Sequence, residues 1–158
     1  MPKNATTADA QVILQLYDLR REAEMRKARS WWFGLFWPQT ADDFMKVLNA
    51  VGTSENAWLR QVVGYWDIAA ALAVQGAVNR ELFLVPSFSG EMFNIFAKVR
   101  PFLGELREKL RNPDLMANIE TLINGSKKGR ECLKQVEVRL ASRRKLIMEA
   151  AAAAAKAS

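Results

Sequence analysis

The stretch SENAWLRQVVGYWDIAAALAVQGAVN occupies residues 54–79 and decides the fold class. Ser54 is a typical helix N-cap, and the apolar residues after it cover most of the circumference of a helix. The alternation of apolar and polar residues that marks a half-buried strand is absent from this stretch. Because a helix that is apolar nearly all round is usually surrounded by other helices, the stretch predicts a long apolar central helix in an all-α protein.

Helix start and stop signals precede this stretch. Thr6 and Asp9 form a capping-box pattern, which predicts a first helix that runs from there to about Trp32. Thr40 is the expected N-cap of a second helix, and Gly52 is the glycine that ends it. We therefore expect two helices before the central one.

Similar signals follow the central helix. The apolar run Leu82–Pro86 is expected to be an extended buried linker, because a lone strand there would have no partner. Ser87 or Ser89 opens a fourth helix, Asn112–Pro113 opens a fifth, and Ser126 opens the last. Three further helices are therefore predicted.

The composition assigns these helices to one domain. The chain has 158 residues, half of them apolar and a quarter charged, which is the balance of an ordinary globular protein. The sequence therefore predicts an all-α, single-domain bundle of about six helices over residues 1–148. Residues 149–158 contain a run of six alanines, which predicts a frayed helical tail with nothing to pack against.

Several classes of site are missing from the sequence. There is no histidine, the commonest general base and metal ligand, so we expect no metal site and no cofactor. The single cysteine, Cys132, permits no intramolecular disulfide, which favours a cytoplasmic protein. No stretch is long and apolar enough for a transmembrane helix. An enzyme that uses carboxylates, lysine or tyrosine stays open, but no catalytic pattern supports one, and we expect a non-enzymatic protein.

An aromatic run follows the first predicted helix. Its members, five of seven consecutive residues, are Trp31, Trp32, Phe33, Phe36 and Trp37. Buried aromatic side chains contribute much of the energy of protein cores, so the run could roof the bundle. Exposed, it would be a partner interface, such as that of a homodimer. It could also be a peripheral membrane contact, which the preceding Arg26, Lys27 and Arg29 support.

The last predicted helix is strongly basic. Between Ser126 and Lys145, eight basic residues accompany two acidic ones, so this segment carries a charge equal to the +6 of the whole chain. A basic stripe indicates a nucleic-acid or anionic-surface contact, although a solvated outer helix has the same composition. A phosphate bound at the helix start would offset the repulsion between its cations and the helix dipole. The anion or nucleic-acid candidates are Lys127, Lys128, Arg130, Lys134, Arg143 and Arg144.

Asp67 lies inside the predicted central helix, between Trp66 and Ile68. A buried carboxylate must pair with another group or change its pKa, and Arg80 and Arg100 are the candidate partners. A perturbed carboxylate in a cleft can mark a catalytic site, but structural ion pairs perturb such groups as well. Asp67 is therefore a buried-charge candidate whose structural role we favour over a catalytic one.

Three segments carry a resemblance to a known group of proteins: Leu16–Glu22, Arg26–Trp32 and Glu55–Arg60. With these segments, the chain resembles an uncharacterised family of small bacterial helical proteins of similar length. The resemblance implies a bacterial cytoplasmic protein. It implies no activity, ligand or catalytic residue.

The functional prediction follows from these features together. We expect a non-enzymatic helical protein-interaction module that self-associates through the aromatic run. The alternative is nucleic-acid or anionic-surface binding through the basic last helix, recognisable by an affinity that falls steeply with salt. A third alternative is peripheral membrane contact through the aromatic run.

Overall fold

The computed structural model describes residues 4–157, which form an all-α, single-domain bundle. The all-α prediction is therefore confirmed, while residues 1–3 and 158, at the ends of the predicted domain and tail, lie outside the described residues. The elements in chain order are α1 (Thr7–Leu19), α2 (Ala23–Gly34), α3 (Ala41–Asn49), α4 (Ser54–Val74), α5 (Arg80–Phe83), α6 (Pro86–Val99), a 3-10 turn (Arg100–Phe102), α7 (Leu103–Leu110), α8 (Ala117–Asn124) and α9 (Lys127–Ala157).

The predicted first helix is divided into α1 and α2. The capping box of Thr6 and Asp9 starts α1 as expected. The chain then turns at residues 20–22, and the carboxylate of Glu22 accepts a hydrogen bond from the backbone N–H of Met25, which caps α2. The break turns the side chain of Arg20 into the core, where it is only 4 % exposed.

The connections of α4 also differ from the predicted ones. Thr53, rather than Ser54, is the N-cap, because its hydroxyl accepts the backbone N–H of Asn56. The helix ends at Val74, and Gly76 follows with a φ of +77°, a left-handed conformation that glycine adopts without strain. The predicted extended linker Leu82–Pro86 instead overlaps the one-turn helix α5, and Pro86 begins α6.

The core is centred on α6 as much as on α4. Nine of the 14 residues of α6 are buried, against eight of the 21 residues of α4. Helix α4 packs against α2, α3 and α8, but its Ile68 is 67 % exposed. The prediction of a long apolar central helix is therefore not confirmed, because α4 has a solvent-facing side.

The last helix, α9, lies on α6 and α8 and then leaves the bundle. Leu133 and Leu140 are buried, and Gly129 approaches α8 so closely that a Cβ there would lie 2.3 Å from the carbonyl oxygen of Ile123. Residues 148–157 are exposed along their whole length, although the helix continues to Ala157. Within residues 4–157, none of the helices is long and apolar enough to cross a membrane.

Candidate functional site

The aromatic run lies mostly inside the bundle. Trp32 is fully buried, and Trp31 and Phe36 are 8 % and 7 % exposed and stack on each other with ring centroids 4.6 Å apart. Phe33 and Trp37 are half-buried at the edge of the core. A surface pocket of about 520 Å³ lies beside the run, and its lining residues are Ala23, Arg26, Lys27, Ser30, Trp31, Leu35 and Trp58.

Lys98 of α6 is a buried cation next to this run. Its Nζ donates hydrogen bonds to the carbonyl oxygens of Trp32, at 2.7 Å, and Phe36, at 2.9 Å, and lies 3.9 Å from the ring centroid of Trp37. Carbonyl groups at the end of a helix have no partner in their own helix, so Lys98 satisfies that of Trp32 at the end of α2, together with that of Phe36 in the segment that follows. No carboxylate of the described residues forms an ion pair with Lys98.

The environment of Lys98 changes its protonation. Burial, and then the positive charges of Arg143 and Arg144 on α9, lower the pKa of the Lys98 ammonium to about 7. Sequence reasoning missed this residue. The sequence feature that indicates its burial is the run 95–99, in which all residues except Lys98 are apolar.

Two predicted anion candidates meet Lys98 at the segment Trp37–Pro38. The guanidinium carbon of Arg143 lies 6.0 Å from the ring centroid of Trp37. The Nη2 atom of Arg144 lies 3.4 Å from the carbonyl oxygen of Pro38, and its Nε is buried without a hydrogen-bond partner. We call these groups, Trp37, Pro38, Lys98, Arg143 and Arg144, the cationic corner.

The cations at the start of α9 already have protein partners. Lys128 reaches the carboxylate of Glu81 at 3.4 Å, and Arg130 donates a hydrogen bond of 2.6 Å to the carbonyl oxygen of Asn124. Lys127 forms a weak exposed pair, at 3.8 Å, with Glu131. Arg130 thereby caps the end of α8, so Lys128 and Arg130 join α9 to its neighbours.

Further along α9, cations line the side that faces away from the bundle. Residues 127, 134, 145 and 156 are lysines at separations of seven and eleven, which places them on one face of an α-helix. All four are exposed, whereas Arg139 is exposed on another side of the helix, about 120° away. We call the four lysines the lysine row; along a helix of 31 residues, it extends over roughly 44 Å.

A second buried cation lies between α1, α4 and α6. Arg20 donates a hydrogen bond of 3.1 Å to the carbonyl oxygen of Phe88 and lies 3.7 Å from the carboxylate of Glu91. Its guanidinium carbon is within 5.2 Å of the ring centroids of three aromatic residues, Tyr17, Trp66 and Phe88. Arg29 also pairs with Glu91, through its Nε at 2.9 Å, so one carboxylate serves two arginines.

Tyr65 completes the surroundings of this ion cluster. Its hydroxyl donates a hydrogen bond to the carbonyl oxygen of Leu16, near the end of α1. Burial raises the pKa of Tyr65 to about 12. The phenol is therefore a neutral hydrogen-bond donor at physiological pH and joins α4 to α1.

Asp67 is half-buried, and it accepts hydrogen bonds from the start of α8 instead of pairing with an arginine. Its carboxylate accepts hydrogen bonds from the backbone N–H groups of Asn118, at 3.2 Å, and Ile119, at 3.3 Å, and from the Asn118 side chain. Neither predicted partner reaches it, because Arg80 donates to carbonyl groups at the end of α4 and Arg100 pairs with Glu137. Asp67 thus satisfies free donors at the start of α8.

The described residues present two candidate anion surfaces, the cationic corner and the lysine row. No group of three or more cysteine, aspartate and glutamate side chains within residues 4–157 is placed to hold a metal ion. The family model for a domain of unknown function, DUF4760, matches residues 5–126. The chain belongs to this family. The DUF4760 match includes the three segments that carried the resemblance to an uncharacterised family, which is confirmed.

The matched part of the DUF4760 domain ends at the last helix. Residues 5–126 contain α1 to α8, whereas α9 begins at Lys127. No curated protein and no solved structure matches the chain. The function therefore has to be argued from the side chains themselves.

Proposed function

We propose that the protein is a non-enzymatic, helical binding module that contacts the phosphate backbone of nucleic acid through the lysine row of α9. The proposal includes a bacterial cytoplasmic location, which the resemblance of the sequence supports. The observation that carries it is the accumulation of exposed cations on one side of a single long helix. Such a stripe is the electrostatic footprint of a polyanion partner.

The charge distribution supports α9 as the contact element. Nine basic and three acidic residues lie between Lys127 and Ala157, so this helix carries a charge equal to the net +6 of the chain. Two of the three acids face a cation of their own helix at 3.8 Å or more, which is a weak exposed pair. A phosphate backbone would displace these weak pairs and release counterions.

Nucleic acid is a better partner for α9 than a membrane surface. A helix that lies in a membrane interface needs an apolar face turned to the lipid. Leu133 and Leu140 of α9 are instead buried against the bundle. Its exposed apolar residues, Val138, Leu146 and Met148, are eight and two positions apart and do not form one stripe along the helix. Phosphate contacts need only cations at suitable spacing.

Fluorescence anisotropy with a labelled DNA duplex of about 25 base pairs, and with a single-stranded RNA of equal length, tests this function. Salt is varied from about 50 to 300 mM, and the logarithm of affinity is expected to fall linearly with the logarithm of salt concentration. The triple substitution Lys134→Gln, Lys145→Gln, Lys156→Gln should weaken binding at least tenfold and lower the slope by about 1 for each lost phosphate contact.

A matched triple substitution controls for net charge. Arg21, Lys46 and Arg60 are exposed cations outside α9, and their replacement by glutamine removes the same charge. We expect this variant to keep most of the affinity. Equal losses in both variants, or no binding at low salt, would reject the proposal. Binding to phosphatidylserine vesicles but not to DNA or RNA would also reject it and would favour a membrane surface.

Self-association is a second candidate function, and we infer it from the projecting end of α9. Leu146 and Met148 are 65 % and 55 % exposed, and alanines follow them. An antiparallel pair of these segments sets the cations Arg143–Lys145 of one copy opposite the alanines of the other, so charge does not oppose it. Light scattering before and after nuclease treatment tests this: a concentration-dependent dimer is expected, and a monomer at every concentration would exclude it.

A further inference from the structure

The cationic corner brings three basic side chains to one short segment of chain. Lys98 and Arg143 lie 3.9 Å and 6.0 Å from the ring centroid of Trp37, and Arg144 lies 3.4 Å from the carbonyl oxygen of Pro38. They come from α6 and α9, which are packed against each other. The charges of Arg143 and Arg144 act on Lys98 and lower its pKa, so the three groups repel one another when all are charged, and a bound anion would offset this repulsion.

The buried cation of this corner differs from the other buried cation of residues 4–157. Arg20 has the carboxylate of Glu91 at 3.7 Å, whereas Lys98 has no carboxylate partner. No ion pair of the described residues involves Lys98, Arg143 or Arg144. The Nε of Arg144 is buried as well, and it has no hydrogen-bond acceptor. A buried donor without an acceptor is costly, so this guanidinium is poorly compensated by the protein, and an oxyanion at its exposed edge would supply the missing negative charge.

We propose that Arg143 and Arg144, with Lys98 behind them, bind a tetrahedral oxyanion, a phosphate or sulfate group, at the Trp37–Pro38 segment. Guanidinium groups suit this ligand because their N–H groups form a planar fork that matches two oxygens of a phosphate. Arg143 is exposed and Arg144 is partly exposed, so the ligand has access from solvent. Lys98 is fully buried and acts on the ligand through its charge, without contact.

The position of Lys98 couples this site to pH. The charged groups that act on its ammonium are Arg143 and Arg144, while α2 presents the carbonyl oxygens of Trp32 and Phe36. A bound dianion offsets the repulsion from the two arginines and raises the pKa of Lys98. By linkage, protonation of Lys98 strengthens binding, so the affinity should rise as pH falls through 7.

The site is independent of the proposed nucleic-acid contact. The lysine row faces away from the bundle, whereas Arg143 and Arg144 lie on the flank of α9 that touches Trp37 and Pro38. Substitutions in one set leave the other in place. Failure of one proposal therefore leaves the other to its own measurement.

Isothermal titration with sodium sulfate, at ionic strength held constant with sodium chloride, tests the site. Sulfate stays a dianion between pH 6 and about 8.5, so any change of affinity in this range reports on the protein. We expect saturable binding of one sulfate per chain. The variant Arg143→Gln, Arg144→Gln should bind at least about tenfold more weakly, because it loses the charge-assisted hydrogen bonds.

Two further variants test whether binding depends only on net charge and whether Lys98 causes its pH dependence. The control Arg21→Gln, Lys46→Gln removes two exposed cations elsewhere and should bind sulfate as the unmodified protein does. Lys98→Met should remove the increase of affinity toward low pH. Circular dichroism checks that each variant is folded.

The source of the anion is resolved by comparing inorganic phosphate with glycerol 2-phosphate. Equal or tighter binding of the monoester supports the proposal and assigns the site to the phosphoryl group of a larger ligand. A clear preference for inorganic phosphate supports it as a site for the free ion. Sulfate binding no stronger than that of chloride, or unchanged affinity in the folded Arg143→Gln, Arg144→Gln variant, would overturn it.

Discussion

Lys98 and Arg20 are both buried cations, but their surroundings differ. Arg20 has a carboxylate, Glu91, at 3.7 Å, and Glu91 also pairs with Arg29. Lys98 has two carbonyl oxygens and an indole ring instead of a carboxylate. An arginine cannot lose its proton inside a protein, so its charge has to be balanced. A lysine can lose its proton, and the pKa of Lys98 is lowered to about 7.

The comparison shows two ways in which a fold can bury a basic side chain. Near Arg20, the fold places an acid and three aromatic faces around a permanent charge. Near Lys98, hydrogen bonds to the end of α2 hold an amine that is neutral or charged according to pH. The protein should therefore lose stability when the counter-charge of Arg20 is removed, and also when the hydrogen bonds of Lys98 are removed.

Removal of the acid tests the first cluster and should have the largest effect. Glu91→Gln leaves Arg20 buried without a counter-charge, so we expect a loss of about 3–5 kcal/mol in the free energy of unfolding. Chemical denaturation measures it. The matched substitution Glu120→Gln disrupts the more exposed pair with Arg107 and should cost at most about 1 kcal/mol. Equal losses of unfolding free energy in the two variants would contradict the idea that burial makes the charge of Glu91 more important than that of Glu120.

Removal of the amine tests the second cluster and should have an intermediate effect. Lys98→Met keeps the side-chain volume but leaves the carbonyl oxygens of Trp32 and Phe36 without a donor, at a cost of about 1–3 kcal/mol. Lys46→Met, at an exposed position, should change the stability by less than about 0.5 kcal/mol.

The pH dependence of Lys98→Met sharpens this test. Between pH 7 and the ordinary lysine pKa of 10.5, the unfolded chain holds a proton that the folded chain has lost. The contribution of Lys98 to stability therefore rises with pH in this range and falls toward pH 7. We expect the cost of Lys98→Met to be larger at about pH 9.5 than at pH 7, by denaturation at both values. A cost independent of pH would contradict a neutral buried amine.

Disruption of an exposed ion pair should have the smallest effect on stability. Arg100 and Glu137 join the end of α6 to α9, with side chains 53 % and 34 % exposed. Arg100→Gln should reduce the stability by only about 0.2–1 kcal/mol, because water already solvates both charges. Thermal unfolding in low and high salt measures this effect. A loss above about 2 kcal/mol would mean that burial does not decide the energy of these pairs.

Local features of the fold could be predicted from the sequence, whereas long-range ones could not. The N-caps Thr6 and Thr40 depend on residues three positions away, and both form as expected. The break after α1 depends on Arg20 meeting Phe88, 68 residues further along the chain, which no local pattern reveals. Helix α5, which begins just before the predicted linker and overlaps it, is capped by the side chain of Asn79, which was not predicted as a cap from the sequence.

The candidate site follows the same rule. The cations of α9 could be predicted because composition alone identifies a basic helix. The partners of Asp67 and Lys98 could not, because they are backbone N–H and carbonyl groups, which every residue has. Whether the aromatic run is buried depends on the packing of α2 against α4, which its residue types do not determine.

The close approach of Gly129 to α8 fixes the angle at which α9 leaves the bundle. The far end of the helix lies about 42 Å from this point, so a small change of angle there becomes a large displacement at the tip. A methyl group at position 129 would force α8 and α9 apart, since it would lie 2.3 Å from the carbonyl oxygen of Ile123. The direction in which the lysine row is presented to a partner is thus fixed by a residue that carries no side chain.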